Sequence, residues 1–277
     1  MELFSELEKI LEIENAEQKC LTFDKFYLEY KNGNLLENHE MEIQSFQKPS
    51  YQKMLDVVLP SKVKSRRKLN TIEGQASLLH SIIHIEYSAI DLALDHSYRF
   101  RNLPKSYYDD WLEVAKEEIS HFRMLVSLLD EIGFSYGDFP VHDNLFLASK
   151  KTENSLASRM SVVPRFLEAS GLDSNPLIME KLNSINTEFT RKIVDALQII
   201  LDEEISHVQK GDKWFEFACE KENFTKECYF SLVKDIYPTA FDKGKNINRE
   251  ARENSGFSEK ELDFISGDGG EIPICNR

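Results

Sequence analysis

The chain has 277 residues, 41% of them hydrophobic and 30% charged, with a formal net charge of −14. This length and composition predict a folded protein with one large core or two small domains. The negative charge argues against broad electrostatic binding to nucleic acid or anionic membranes. No apolar run is long enough to cross a membrane, and the acidic, amphipathic N-terminus lacks signal-peptide features, so we expect a cytoplasmic protein.

Helical periodicity extends over most of the chain. Residues 2–30 predict one or two amphipathic helices, and residues 44–61, with two prolines, predict a connector. Four long helices follow: 71–100, 104–132, 153–170 with a kink at Pro164 and an end at Gly171, and 176–221. Residues 134–146 are rich in turn-forming and aromatic residues and predict an ordered loop. Ser258 and Glu261 form a capping box that opens a last short helix.

This order of elements predicts an all-α fold without strands. We expect an N-terminal helical extension and connector at residues 1–69, and a ferritin-like four-helix bundle at 70–221. A C-terminal extension at 222–277 should wrap the bundle and end in a flexible tail. Cysteines occur at Cys20, Cys219, Cys228 and Cys275, without metal-binding spacing. In a chain without an export signal we expect them to be reduced rather than disulfide-bonded.

The pentapeptide Glu-Glu-Ile-Ser-His occurs twice, at residues 117–121 and 203–207. Each copy contains a Glu-x-x-His pair, Glu118 with His121 and Glu204 with His207. Helical residues three apart share one face, so each pair offers a carboxylate and an imidazole to one metal ion. The preceding glutamates, Glu117 and Glu203, point about 100° away on the same geometry.

Two further glutamates lie on apolar stripes of the first and third predicted bundle helices. Glu86 shares its stripe with residues such as Ile82, Ile83 and Ile90, and Glu168 has small or non-polar neighbours at helical spacing. A buried carboxylate without a partner is costly, so we expect both to meet a cation. Two Glu-x-x-His pairs, each joined by one more glutamate, are the ligand pattern of dinuclear carboxylate sites in helix bundles.

The predicted metal ligands are therefore Glu86, Glu118, His121, Glu168, Glu204 and His207. Their four carboxylates balance two divalent ions, and a Glu/His set without thiolate suits iron or manganese. The alternative is that Glu118 and Glu204 lie on solvated faces while the two histidines satisfy buried hydrogen bonds. Residues that could surround the ligands are His84, Trp111, His142 and Trp214. For His84 a satisfied core histidine is the favoured explanation, for His142 a structural hydrogen bond explains the residue at least as well, and for the tryptophans aromatic core packing is favoured.

Several segments resemble a bacterial family of ferritin-like proteins classed as a domain of unknown function. They are HSIIHIEYSAIDLALD, YYDDWLEVAKEEISHF, GFSYGDFPVHDNLF, VPRFLEASGLD, ILDEEISHVQKGDKWF and NINREARENSGFSEKEL. The resemblance covers about residues 49–262. The family is similar to ferritin-like di-iron proteins, including the tRNA-modifying monooxygenase branch. The resemblance implies a four-helix bundle whose metal ligands match the six residues named above, and it implies no particular substrate.

The expected function is that of a non-haem di-iron, or iron/manganese, oxidoreductase that activates O₂ or peroxide. Its partners would be a small-molecule substrate and an electron donor, with no membrane; a homodimer is a candidate assembly. Three alternatives stay open: an iron-handling ferroxidase or peroxide scavenger, a tRNA-modifying monooxygenase-like enzyme, and a non-catalytic metal-binding scaffold. The tRNA alternative comes from the resemblance. A basic cluster, Lys62, Lys64, Arg66, Arg67 and Lys68, could contact RNA, although a solvated linker is the favoured interpretation of this cluster.

Overall fold

A computed structural model describes residues 2–63, 68–269 and 275. Within these residues all regular elements are helices, and strand-like pairing is limited to isolated bridges at Glu2–Leu36 and Val57–Val141. No helix in this part of the chain is long and apolar enough to span a membrane. The chain forms two compact units: Met1–Lys150 with Thr187–Ala196, and Lys151–Asn186 with Leu197–Arg277.

The first unit is built around two long antiparallel helices. Its helices are α1 (Leu3–Glu12), α2 (Ala16–Lys31), α3 (Ile72–Arg99), α4 (Lys105–Glu131) and α5 (Asn144–Lys151). Side-chain oxygens of Glu2, Asn15 and Thr71 accept backbone N–H groups at the starts of α1, α2 and α3. These caps satisfy amides that have no partner within the helix, and so fix where each helix begins.

Helices α3 and α4 are joined by a short connection and pack along their length. Asn102, with φ of 56°, turns the chain between them, and Pro104 precedes the first residue of α4. Two ring contacts show how the helices are aligned. His96 packs on Trp111 near the connection, with ring centroids 4.3 Å apart. Tyr87 packs on Phe122 further along the helix pair, with centroids 5.5 Å apart. Apolar residues at helical spacing face each other in this pair, as the sequence predicts.

The second unit contains the remaining helices. They are α6 (Leu156–Val162), a π-helical turn (Val163–Glu168), α7 (Ala169–Ile185), most of α8 (Glu188–Glu222), α9 (Tyr229–Ile236), α10 (Arg249–Asn254) and α11 (Glu259–Ser266). The predicted capping box at the start of α11 is confirmed, because Ser258 and Glu261 satisfy each other's backbone amides. Pro164 produces a π-helical turn where the sequence predicted a kink.

Helix α6 and the π-helical turn run antiparallel to α8 at very close distance. The Ser155 hydroxyl donates to the Glu222 carboxylate over 2.7 Å, which joins the start of α6 to the end of α8. Two turns further on, a Cβ added to Gly211 would lie 2.3 Å from the Cβ of Pro164. Gly211 therefore lets α8 approach the proline ring, a contact that any other residue would obstruct.

Three sequence predictions are wrong in detail. The third long helix does not end at Gly171, because α7 continues through Gly171 and Pro176 to Ile185. The break comes at Asn186, which adopts a left-handed conformation, and the last long helix then starts at Glu188 rather than 176. Asparagine is one of the few residues that tolerate this conformation, and its signal is weaker than that of glycine or proline. The predicted loop 134–146 also ends early, since α5 starts at Asn144.

The predicted state of the cysteines is also partly wrong. Cys228 and Cys275 form a disulfide, whereas Cys20 and Cys219 are free thiols and buried. The sequence separation of 47 residues gave no local signal for this pair. The disulfide ties the C-terminal end of the chain to the start of α9, within the second unit.

Substituting Gly211→Ala should destabilise the protein, since the new methyl group overlaps Pro164 and α8 must move away. We expect a loss of about 1–3 kcal/mol in the free energy of unfolding, the usual cost of overpacking. The matched control is Gly171→Ala, also helical, where an added Cβ meets nothing within 4 Å. This control should be neutral or stabilising by about 0.5–1 kcal/mol. Urea denaturation measures both; equal effects would contradict the close contact.

Candidate metal centre

Glu86, Glu118 and His121 come together in the interior of the first unit. Glu86 lies on α3, and the other two lie one turn apart on the facing side of α4. His121 Nδ1 is 3.2 Å from Glu86 Oε2 and 3.5 Å from Glu118 Oε2. One ligand atom from each of the three residues lies within 4.8 Å of the others, a spacing that suits a shared metal ion. We call these residues the first ligand group.

The first ligand group is almost completely shielded from solvent. Glu86 is 4% exposed, and Glu118 and His121 are each 1% exposed. Burial acts to lower the pKa of His121, but hydrogen bonds to Glu118 and Glu86 and their negative charges outweigh it and raise this pKa to about 11. Without a metal ion, the imidazolium is therefore the counterion of the two carboxylates. The alternative that Glu118 lies on a solvated face is wrong.

An aromatic loop covers the adjacent part of α3, and His84 holds this loop in place. His84 Nε2 donates to the carbonyl of His142 over 2.9 Å, and its Nδ1 accepts from the hydroxyl of Tyr136 over 2.8 Å. Burial lowers the pKa of His84 to about 4, so the ring is neutral and this single tautomer serves both bonds. His84 and the backbone of His142 thus have a structural role in fixing the loop.

The second Glu-x-x-His pair lies on α8 within the second unit. Glu204 is 8% exposed and His207 is fully buried, and His207 Nδ1 lies 3.6 Å from Glu204 Oε1. Gly211, one turn after His207, continues the same face of α8 toward Pro164. The second pair therefore points toward the π-helical turn, as the first pair points toward α3. The alternative of a solvated Glu204 is wrong as well.

Glu168 lies at the end of the π-helical turn and is half-buried. The antiparallel register places it beside the second pair: four residues on from Pro164 is Glu168, and four residues back from Gly211 is His207. In the first unit, Glu86 on α3 likewise lies across from His121 on α4, at 3.2 Å. π-Helical turns re-aim side chains and are frequent at functional sites. We call Glu168, Glu204 and His207 the second ligand group.

A buried arginine, which the sequence pattern did not single out, anchors the π-helical turn. Arg165 is fully buried; its Nη2 donates to Glu261 Oε1 over 2.8 Å, and its Nε lies 2.8 Å from Asp212 Oδ1 in an ion pair. Its guanidinium also lies over the rings of three aromatic residues, Phe215, Tyr229 and Phe257. These contacts connect the turn that carries Glu168 to α8 and to α11. An arginine directly after Pro164 on an apolar stripe was the available signal.

The remaining predicted residues lie outside the ligand groups. Trp111 is fully buried against His96 and Tyr107, and Trp214 packs on Phe217, so both are core residues by their contacts. The two neighbouring glutamates of the repeated pentapeptide, Glu117 and Glu203, are half-buried. In the basic cluster, Lys62 and Lys68 are exposed, whereas Lys64, Arg66 and Arg67 lie outside the described residues.

The fold and this site define an all-helical protein with a buried Glu/His group at metal-binding distance. The chain belongs to the family described as "Protein of unknown function (DUF455)", whose model matches residues 12–263. That match begins earlier than the resemblance at about residue 49 predicted. The chain is similar to an "Uncharacterized protein" of Haemophilus influenzae, with 33% identity over 95% of this chain and 93% of the relative. No solved structure matches the chain.

Replacing Arg165 with methionine should strongly destabilise the second unit. The substitution leaves the carboxylates of Asp212 and Glu261 near the core without their guanidinium, which costs about 3–5 kcal/mol for a buried ion pair. The control Arg249→Met breaks an exposed ion pair with Asp263 and should change stability little. Thermal and urea unfolding of both variants test this difference. An Arg165→Met protein as stable as the parent would contradict the anchoring role.

Proposed function

We propose that the two ligand groups act together as one dinuclear metal site within a ferritin-like helix bundle. The observation that carries this proposal is the buried first ligand group, in which two carboxylates and an imidazole meet within 4.8 Å. The second ligand group repeats its residue types, its Glu-x-x-His spacing and its antiparallel register. Two such groups supply four glutamates and two histidines, the ligand set of di-iron and di-manganese carboxylate bundles.

Iron is the metal that this donor set suits best, with manganese as the close alternative. The donors are carboxylate oxygens and imidazole nitrogens without a thiolate, which disfavours a soft metal. Two divalent ions neutralise the four glutamates when both histidines are neutral. Burial supports the same assignment, since a metal ion offsets the cost of placing so many carboxylates away from water.

We further propose that the protein is an oxidoreductase that activates O₂ or peroxide on a small substrate. When bound, a redox-active metal pair supplies the electrons and the Lewis acidity for that chemistry. The residues of the chain hold the ligands and exclude water. Tyr87 and Phe122, the residues that follow Glu86 and His121 in the chain, form an aromatic cluster with Tyr136 of the loop, with ring centroids 5.5–5.8 Å apart. This cluster packs α3, α4 and the aromatic loop together, and it supports the positions of the ligand-bearing helices.

Metal binding tests the site directly, and the repeated pentapeptide provides matched controls. Anaerobic protein given Fe²⁺ should retain about two iron ions per chain after desalting, as the two ligand groups require. Glu118→Gln and Glu204→Gln should each lose at least half of this iron. Glu117→Gln and Glu203→Gln remove the same charge one residue earlier and should retain it. Iron retention that is equal in all four variants would contradict the assignment.

The activity is tested separately from metal binding. Iron-loaded, reduced protein should consume O₂ in an oxygen electrode, and Glu118→Gln should abolish the consumption that exceeds that of free iron. Size-exclusion chromatography of the same sample separates an oxidoreductase from an iron store, because a storage protein forms a large shell. Iron that binds without O₂ or peroxide consumption would leave a metal-binding protein and remove the oxidoreductase proposal.

A further inference from the structure

A cavity of about 450 Å³ opens in the first unit, between α1, the connector before α3, α3 itself and α5. Its volume lies within the range of small-molecule binding sites, about 300–1,000 Å³. Apolar and aromatic side chains form much of its wall: Leu11, Phe46, Tyr51, Leu92 and Phe146. A site with this lining takes a ligand with an aromatic or aliphatic body.

The cavity is separate from the first ligand group. Its α3 residues include Ser88, Asp95 and Arg99. With a rotation of roughly 100° per residue, they lie about 180–220° around the helix from Glu86. They therefore occupy the face of α3 opposite to the metal ligands. A molecule in this cavity would contact one side of the helix while the metal site uses the other.

Ion pairs fix the charged residues that line the inner side of the cavity. Lys19, fully buried, forms an ion pair with Asp91 and donates to the Ser50 hydroxyl over 2.8 Å. Arg99 Nη2 and Nε donate to the Asp95 carboxylate over 2.8 and 3.0 Å. An inner side fixed in this way is pre-formed and loses little freedom when a ligand binds.

The lining of the cavity carries equal numbers of charged groups of each sign: four cations, Lys48, Lys53, Arg99 and Lys150, and four carboxylates, Glu12, Glu14, Asp91 and Asp95. Lys19 lies behind the lining and neutralises Asp91, which leaves the cavity and its immediate support with one positive charge in excess. Arg99 pairs with Asp95, and Lys53 pairs with Glu14 over 2.5 Å. Lys48 is exposed and forms no ion pair with the described residues, so its ammonium group is available to a ligand.

We propose that this cavity binds a small amphipathic anion, an apolar body with one carboxylate- or sulfonate-like group. The apolar body would replace water against Leu92, Phe46 and Phe146, which the hydrophobic effect favours. The anionic group would lie at the mouth of the cavity, where exposed Lys48 supplies an ammonium donor. This proposal is independent of the metal site, because its residues and its face of α3 are different.

The test uses 8-anilino-1-naphthalenesulfonate, a fluorescent aromatic sulfonate, with the full-length folded protein. Fluorescence titration should show saturable binding of one probe per chain. Ser149→Trp places a large ring at the cavity wall and should abolish this binding. Lys48→Glu should weaken it at least fivefold, whereas the control Lys25→Glu, an exposed lysine of the same unit, should change it less than twofold. Circular dichroism confirms that each variant is folded.

A neutral probe separates the apolar contribution from the charge. N-Phenyl-1-naphthylamine has the same rings without the sulfonate and should bind at least fivefold more weakly. Equal affinity for the two probes, or an unchanged affinity in Lys48→Glu, would overturn the anionic assignment. Absence of saturable binding, or binding unaffected by Ser149→Trp and by Lys48→Glu, would overturn the cavity as the site.

Discussion

The concentration of negative charge in the interior of the first unit is the constraint on which its central helices depend. Glu86 and Glu118 are almost completely buried, and each carboxylate would be costly there without a positive partner. Protonated His121 supplies one positive charge against two negative ones, so the group keeps a net charge of −1 in the absence of metal. A divalent ion bound to neutral His121 brings this sum to zero, which favours a metal over a proton as the counterion.

The second unit solves a similar problem with a permanent cation. Arg165 cannot be deprotonated, and it lies between Asp212 and Glu261 beneath aromatic rings. Because this guanidinium stays charged, no metal ion or proton can take its place between the two carboxylates, and the contact stabilises the fold. The ligand groups instead combine carboxylates with imidazoles, which release a proton and accept a metal. An arginine as the buried cation thus indicates a structural charge cluster, whereas a histidine indicates a cluster that can release a proton and bind a metal ion.

The sequence was most informative where one periodic pattern determined one element. The helices around Glu86 and Glu118 were predicted within a residue or two at each end, because their apolar stripes are long and uninterrupted. Periodicity also identified Glu86, whose stripe is otherwise apolar. It failed near Gly171 and Pro176, where tertiary packing holds a helix through residues that usually end one. The end of α7 at Asn186 was also missed, because asparagine is a weaker signal for a helix end than glycine or proline.

Long-range partners were beyond the sequence for a different reason. Arg165 pairs with Glu261 across 96 residues, and Cys228 with Cys275 across 47, and no local pattern relates such positions. The close approach of Gly211 to Pro164 is of the same kind. The two Glu-x-x-His pairs could be related from the sequence, although they are far apart in the chain, only because the same pentapeptide contains both. Its two copies identified two sets of buried ligand positions, one in each unit, without any knowledge of distances.

The short connection between α3 and α4 has a consequence for the order in which the chain folds. Glu86 and His121 are 35 residues apart, in two helices joined by a tight turn at Asn102. Contacts this local form early, and during synthesis the N-terminal part of a chain folds first. All residues of the first ligand group are therefore synthesised, and can make their local contacts, before the second Glu-x-x-His pair has been made. At that stage the proton on His121 is the counterion that the nascent chain itself provides.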